Sequence, residues 1–152
     1  MGIFKRLLFG KPPLRITVPV LGECLLMETK RGSYWEVETE VSTKPFTLMI
    51  ETTGSAAPTT LQVAFFKQFC EAPTMAFHRA KGLLVPGYED WTRQQFPQRW
   101  EDAFDFVGMT VPLDGNERNP WDLSFECLRD RGRHHFCCTF EQGNPKSLQI
   151  DG

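Results

Sequence analysis

Apolar and polar residues alternate through most of the first third of the chain. The clearest case is "YWEVETEV" at positions 34–41, where every second residue is Trp, Val or Thr and glutamates stand between them. A period of two is typical of a β-strand with one buried and one wet face. "RITVPV", "GECLLMET" and, after a break at Pro45, "FTLMIE" follow the same pattern. Residues 14–51 therefore predict four strands of a mainly antiparallel sheet.

The middle third changes to a period of three to four. Thr59 and Gln62 have the spacing of a capping box. The apolar residues behind them are Leu61, Ala64, Phe65, Phe69 and Ala72. Pro73 predicts the start of a second helix, which we expect to end at "VPG". A third helical region is expected at about residues 88–105, interrupted by Pro97, with aromatic residues four apart that contact the core.

The last third returns to a period of two. "FVGMTVPL" predicts a strand, "DGNERNP" a polar loop, residues 121–141 a hairpin, and "SLQI" a final strand after the turn "QGNPK". This order predicts an α+β fold, a mainly antiparallel sheet with two or three helices packed on one face. We expect one domain over residues 14–152, preceded by a short amphipathic segment at 1–13.

Composition narrows the class of partner. The chain has 152 residues and a net charge of -2, with basic and acidic residues interspersed. No basic stripe is present to hold a phosphate backbone, so we do not expect a nucleic-acid partner. Thirteen Phe and four Trp predict an aromatic-rich core.

The opening segment "MGIFKRLLFGKPP" combines apolar residues with Lys5 and Arg6 and does not have the pattern of a cleavable signal. With five cysteines, an odd number, a reducing cytoplasm is the expected location. Weak contact of this segment with a membrane surface is one interpretation, and a short capping helix or a frayed end is the other. Arg6 stands where a myristoylation motif has Ser or Thr, so lipidation is not expected.

Histidines and cysteines cluster near the C-terminus. On two paired strands, Cys127 and Cys138 would point to the core, whereas His135 and Cys137 would point the other way. Four ligands of a zinc site would then not converge, so we predict no metal and no cofactor. No oxyanion hole or nucleophile elbow accompanies His135 and Cys137, and His78 is expected to be a solvated helix residue. The sequence predicts a protein without catalytic activity.

The closing segment carries a family resemblance. It consists of Trp121, Leu123, Phe125 and Cys127 in alternation, a charged turn, His135 and Phe136, then Phe140, Gly143, Pro145 and a terminal "IDG". This order resembles the C-terminal hairpin of small bacterial domains of unknown function that recur as immunity proteins in polymorphic-toxin and type VI secretion systems. Upstream, a strand region, "PTTLQVAFFKQF" and a Tyr-containing helix are similar in order to the same families.

The resemblance implies a non-catalytic binding protein that occupies a cognate toxin or effector and protects the cell that makes both. Immunity interfaces commonly use charged loops, which here would be "DGNERNP" and "RDRGR". The candidate contacts are Asp114, Glu117, Arg118, Arg131 and Arg133, and solvated turns are the alternative interpretation.

Two other functions stay open on sequence alone. One is a housekeeping adaptor or membrane-associated interaction module that uses its first dozen residues. The other is a small enzyme dependent on Cys137 and His135, which would need a lowered thiol pKa.

Overall fold

The computed structural model of the chain describes residues 12–151, which adopt an α+β fold built on one eight-stranded sheet. The strands are β1 (Arg15–Val18), β2 (Gly22–Thr29), β3 (Gly32–Val41), β4 (Lys44–Thr52), β5 (Phe104–Val111), β6 (Trp121–Cys127), β7 (His135–Glu141) and β8 (Asn144–Asp151). Their order in the sheet is their order in the sequence. Only β4 and β5 pair in parallel, so the predicted mainly antiparallel sheet is confirmed.

Two helices, α1 (Thr60–Cys70) and α2 (Pro73–Thr92), lie in the connection between β4 and β5. Parallel neighbours require the chain to cross back over the sheet, and this crossover supplies the helical layer. Phe66 of α1 contacts Phe46, and Tyr88 of α2 contacts Phe104. Both helices therefore pack on the same side of the sheet, which we name the covered face.

Aromatic rings fill the space between the helices and the covered face. Trp121 stacks on Phe140 with ring centroids 4.1 Å apart, and Phe65 meets the edge of the same indole at 5.0 Å. Phe125 and Phe136 are fully buried between neighbouring rings. The predicted aromatic core and the predicted inward set of the β6–β7 hairpin are confirmed.

The predicted capping box at the start of α1 is also confirmed. The Gln62 backbone N–H donates to Thr59 Oγ1 at 3.1 Å, and the Thr59 backbone N–H donates to Gln62 Oε1 at 3.0 Å. Gln62 does more than cap the helix, because its Nε2 donates to the carbonyl oxygens of Glu51 and Pro112. One buried amide thus ties α1 to the end of β4 and to the loop after β5.

The predicted end of the second helix at "VPG" is wrong. Helix α2 continues through Pro86 and Gly87 to Thr92 and ends at Arg93, which has a left-handed φ of 59°. Pro86 has no backbone N–H to donate to the Gly82 carbonyl, so the helix loses this hydrogen bond but does not end here. Burial of Tyr88 beyond the proline favours continuing the helix.

The third helical region predicted at 88–105 is wrong beyond Thr92. Residues 93–99 are irregular, Trp100–Asp102 form one 3-10 turn, and Phe104 already belongs to β5. The aromatic spacing that suggested a helix is nevertheless a set of core contacts, since Phe96 packs on Tyr88 and Trp100 stacks on Phe77.

Three smaller expectations also change. Leu61 and Ala64 are exposed rather than buried, because α1 turns Gln62 and Phe66 inward instead. Pro45 lies inside β4 and does not break it, because β5 pairs with β4 only from Thr47 onward. The final strand begins at Asn144, before "SLQI", since the turn after β7 needs only residues 142–143.

The predicted segment 1–13 falls outside the described residues except for its last two positions. Among the residues that are described, no helix combines the length and the apolarity needed to cross a membrane.

Candidate functional site

The two loops predicted to bind a partner lie at opposite ends of β6. Residues 113–120 precede the strand and residues 128–134 follow it. A seven-residue strand spans roughly 20 Å. Asp114, Glu117 and Arg118 are therefore brought together at one end, while Arg131 and Arg133 lie at the other, and the five residues do not form one compact patch.

Hydrogen bonds hold the 113–120 loop in place. The carbonyl of Glu117 accepts from Trp121 Nε1 at 3.2 Å and from the Gly143 backbone N–H at 3.1 Å. Within the loop, Asn119 Nδ2 donates to the Leu113 carbonyl at 3.1 Å, and Asp114 adopts a left-handed φ of 59°. A loop fixed in this way presents its surface with little further ordering on binding.

The charged side chains of the 113–120 loop differ in whether they already have an ionic partner within the fold. Arg79 of α2 contacts Glu117 Oε2 at 3.3 Å and lies over the Trp121 ring at 5.3 Å. Glu117 therefore already has an ionic partner, whereas Asp114 and Arg118 are exposed. Sequence reasoning missed Arg79, since nothing in the spacing of α2 indicates that it reaches across to another loop.

A surface cavity of about 550 Å³ opens beside this loop, and we name it the loop groove. Its walls come from the β2–β3 turn, the end of β4 and the loop itself. The lining residues are Arg31, Gly32, Ser33, Glu51, Thr52, Thr53, Gly54, Leu113, Asn119 and Pro120. Leu113 is 38% exposed and supplies an apolar contact within an otherwise polar rim.

A second apolar side chain flanks the loop. Leu61 lies in the first turn of α1 and is 66% exposed. The backbone of Leu61 lies against Gly115, where an added Cβ would come within 2.8 Å of it, and Gly115 has a left-handed φ of 67°. Apolar groups rimmed by polar ones are typical of interaction surfaces. The helical pattern had assigned Leu61 to the core, and so concealed this feature.

At the other end of the sheet, the 128–134 loop is closed by its own contacts. Asp130 accepts from the His134 backbone N–H at 3.3 Å, meets His134 Nδ1 at 3.2 Å, and accepts from Trp91 Nε1 at 2.9 Å. These hydrogen bonds lower the pKa of Asp130 against the opposing effect of its burial. Arg133 contacts Glu126 at 2.5 Å, and Arg131 is exposed. The Asp130 carboxylate therefore stabilises the turn of the 128–134 loop.

A second cavity, of about 230 Å³, lies at this same end of the sheet. Aromatic and charged groups line it together, among them Trp100, Phe106 and the ion pair of Lys44 with Asp105. Trp100 Nε1 donates to Thr74 Oγ1 at 3.2 Å. Among the described residues that line the cavity, the basic one is Lys44, which is already paired with Asp105.

The side of the sheet opposite the helices is strongly acidic, and we name it the open face. Strand pairing puts Glu36 opposite Met49, Asp122 opposite Thr110, and His135 opposite Asp151 on this side. The acidic side chains that share it are Glu23, Glu36, Glu38, Glu40, Glu51, Asp105, Asp122, Glu126, Glu141 and Asp151.

Internal ion pairs neutralise some of these acids but not others. Glu23 is paired with Arg15, Asp105 with Lys44, Glu126 with Arg133, and Glu141 with Lys146. Within residues 12–151, no basic side chain lies at ion-pair distance from the rest of the acids along β3, β4 and β6. These unneutralised carboxylates are Glu36, Glu38, Glu40, Glu51 and Asp122.

Glu51 connects the open face to the loop groove. It lines the groove and also shares the open face with Tyr34, its partner in β3. Partial burial, and then the negative charge of Asp122, raise the pKa of the Glu51 carboxyl. The groove and the unneutralised acids therefore form one continuous surface.

The cysteine and histidine cluster is split between the two faces, as the strand pattern predicted. Cys127 and Cys138 are buried on the covered face, and burial raises the pKa of Cys138 to about 12. Cys137 lies on the open face beside Ser124, whose hydroxyl contacts its sulfur at 3.6 Å, while His135 lies opposite Glu126 in the strand register. Burial raises the pKa of Cys137, the opposite of what a thiolate nucleophile requires.

Metal ligands do not converge in the described part of the chain, where no group of three His, Cys, Asp or Glu side chains could hold an ion. All five cysteines are free thiols. His78 is exposed on α2, where its ring lies 5.9 Å from that of Phe77.

Comparisons of this chain with protein-family models, with curated proteins and with solved structures found no match.

Proposed function

We propose that this chain is a non-catalytic bacterial immunity protein that binds a cognate toxin in the cytoplasm through the loop groove and the 113–120 loop. The observation that carries the proposal is the loop groove, which contains exposed Leu113 and lies next to the loop that carries the exposed residues Asp114 and Arg118. A central apolar contact inside a polar rim is the usual composition of a protein interface.

The 113–120 loop is better suited to this role than the 128–134 loop. Two of its three candidate charges, Asp114 and Arg118, are in no ion pair among the described residues, whereas in the 128–134 loop Arg133 is paired with Glu126 and only Arg131 is left. A charge that has no internal partner is free to complement a charge on another protein and to steer association.

Affinity capture with matched bait variants tests the proposal. Tagged wild-type protein is used to capture partners from its source cells at high salt, and the result is compared with that of a Leu113→Asp bait. Val20→Asp is the control, because Val20 is 67% exposed and lies at the opposite end of the sheet. We expect one stoichiometric partner with wild type and the control, and its loss with Leu113→Asp.

The captured partner is then expressed in a bacterial host with and without this protein. Immunity predicts that the partner alone stops growth and that co-expression restores growth. A partner that does not inhibit growth would contradict the immunity function. Lipid binding that disappears when residues 1–11 are deleted would favour the membrane-associated adaptor instead.

A further inference from the structure

We propose that the open face is a docking surface for a basic protein surface, and that the partner bound at the loop groove extends across it. This inference rests on the proposed protein-binding function and names the chemistry of the partner. Among residues 12–151, Glu36, Glu38, Glu40, Glu51 and Asp122 of this face have no counterion, and the face meets the loop groove at Glu51.

The distribution of ion pairs is the first argument. Four acids of the open face are paired internally, as with Glu23 and Arg15 or Glu141 and Lys146. Glu36 and Glu38 follow each other on one face of β3, about 7 Å apart along the strand, with no cation beside them among the described residues. Neighbouring like charges destabilise a sheet, so a face that leaves them unpaired is suited to an external cation.

The coupling between strands is the second argument. Glu51 of β4 and Asp122 of β6 lie on either side of β5, near enough for Asp122 to raise the pKa of Glu51. Thr139 Oγ1 donates to Asp122 Oδ1 at 2.8 Å and holds that carboxylate in place on the face. A lysine or arginine from a partner would relieve the repulsion between the two carboxylates, an effect that the fold itself does not supply.

The open face also carries apolar surface that a partner can contact. Met49 is half-buried here, beside the acidic positions of β3. Thioether side chains adapt to the shape of a partner, and the aliphatic stems of lysine and arginine cover such surfaces while their charged ends reach carboxylates. A basic protein surface matches both the charge and the apolar content of the open face.

The test uses a lysine decapeptide as the probe and two variants of equal net charge. The open-face variant carries Glu36→Gln, Glu38→Gln, Glu40→Gln and Asp122→Asn, and leaves Glu51 of the loop groove unchanged. The control carries Glu71→Gln, Glu89→Gln, Asp90→Asn and Glu101→Gln, all in or beside the helical layer. Each variant loses four negative charges, so any difference between them reports where the charge lies and not how much there is.

We expect the peptide to shift the NMR amide signals of β3, β4 and β6 in the wild-type protein. The open-face variant should bind about tenfold more weakly or worse, and the control should stay within about twofold of wild type. Raising the salt concentration should weaken wild-type binding. Circular dichroism shows whether each variant is folded. Equal losses in both variants, or shifts outside the open face, would overturn the inference.

The captured partner separates this inference from the proposed function. If Leu113→Asp abolishes its binding while the open-face variant binds as wild type, the groove is the interface and the docking role of the open face is wrong. If both variants lose the partner, both proposals are supported. If the partner binds both variants normally, the groove proposal fails as well.

Discussion

The same strands form both sides of the sheet, but the side chains on the covered face and on the open face differ in burial and in charge. On β6, the residues pointing to the covered face are Trp121, Leu123, Phe125 and Cys127, all buried, while those pointing to the open face are Asp122, Ser124 and Glu126, all partly exposed. Side-chain alternation therefore separates the two environments within seven residues.

The covered face is self-sufficient, because its polar groups are satisfied within the fold. The side-chain amide of Gln62 is buried, yet its oxygen accepts from the Thr59 backbone N–H and its nitrogen donates to the carbonyl oxygens of Glu51 and Pro112. No buried side-chain nitrogen or oxygen among the described residues lacks a hydrogen bond. The open face instead carries carboxylates that have no counterion within residues 12–151. The covered face therefore maintains the fold, and the open face is the side that we propose for binding.

The largest expected effect is on adjacent residues of β6 that point to opposite faces. Phe125→Ala should lower the free energy of unfolding by about 3–5 kcal/mol, because it removes a fully buried ring and leaves a cavity. Ser124→Ala on the open face should change it by less than about 1 kcal/mol, since only a weak contact with Cys137 is lost. Urea denaturation followed by circular dichroism measures both values, and equal losses would contradict the division between faces.

The next effect concerns the amide that joins α1 to the sheet. Gln62→Leu should destabilise the protein by about 2–4 kcal/mol, because it leaves the carbonyl oxygens of Glu51 and Pro112 without their donor and removes part of the cap. Gln68→Leu on the exposed side of the same helix is the control and should be near neutral. If the two variants melt at the same temperature, the bridging role of Gln62 is wrong.

Two glycines of α2 provide a smaller and more specific contrast. Gly82 has open space around it, so Gly82→Ala should stabilise the helix by about 0.5–1 kcal/mol. At Gly87 an added Cβ would come within 2.3 Å of the Leu148 side chain, so Gly87→Ala should be less stable than Gly82→Ala by about 1–2 kcal/mol. Thermal unfolding of the two variants checks the close approach of α2 to β8, which would be refuted by equal stabilities.

The smallest effect is on the open face itself and depends on pH. The raised pKa of Glu51 means that the folded protein holds this proton more tightly than the unfolded chain does. Ionised Glu51 therefore destabilises the fold above its folded pKa, and this penalty is absent at a pH below the unfolded value near 4.5.

Glu51→Gln should accordingly raise the free energy of unfolding at pH 7 and lose that gain as the solution is acidified below pH 4.5. Glu28→Gln, at an exposed position of β2, is the matched control. Denaturation at several pH values measures the difference. A Glu51→Gln variant that is less stable than wild type at pH 7 would contradict the penalty assigned to the burial of this carboxylate and to its repulsion from Asp122.

The local pattern of apolar and polar residues was sufficient to predict the strands and the start of α1. Alternation in "YWEVETEV" predicted which side of β3 is buried, and the spacing of Thr59 and Gln62 predicted the cap. Such features depend on neighbouring residues and on period alone. The extent of α2 was not predictable in this way, because continuation of the helix past Pro86 is favoured by Tyr88, which is buried against the sheet.

The candidate surface was harder to predict because it depends on how distant strands pair. The sequence pointed to the 113–120 loop through its charge, but the groove beside it also needs Arg31 and Glu51 from other strands. The acidic open face follows from strand order, which brings Asp122 near Glu51 across β5. No local pattern specifies that order.

Stoichiometric titration of the captured partner tests the central claim most directly. The growth-inhibiting or other toxic activity of a fixed amount of the partner is measured as this protein is added in increasing amounts. A non-catalytic binder predicts that activity falls linearly and disappears at a fixed stoichiometric ratio. Complete loss of activity at a small fraction of one equivalent would show that the chain acts catalytically, and would contradict the account.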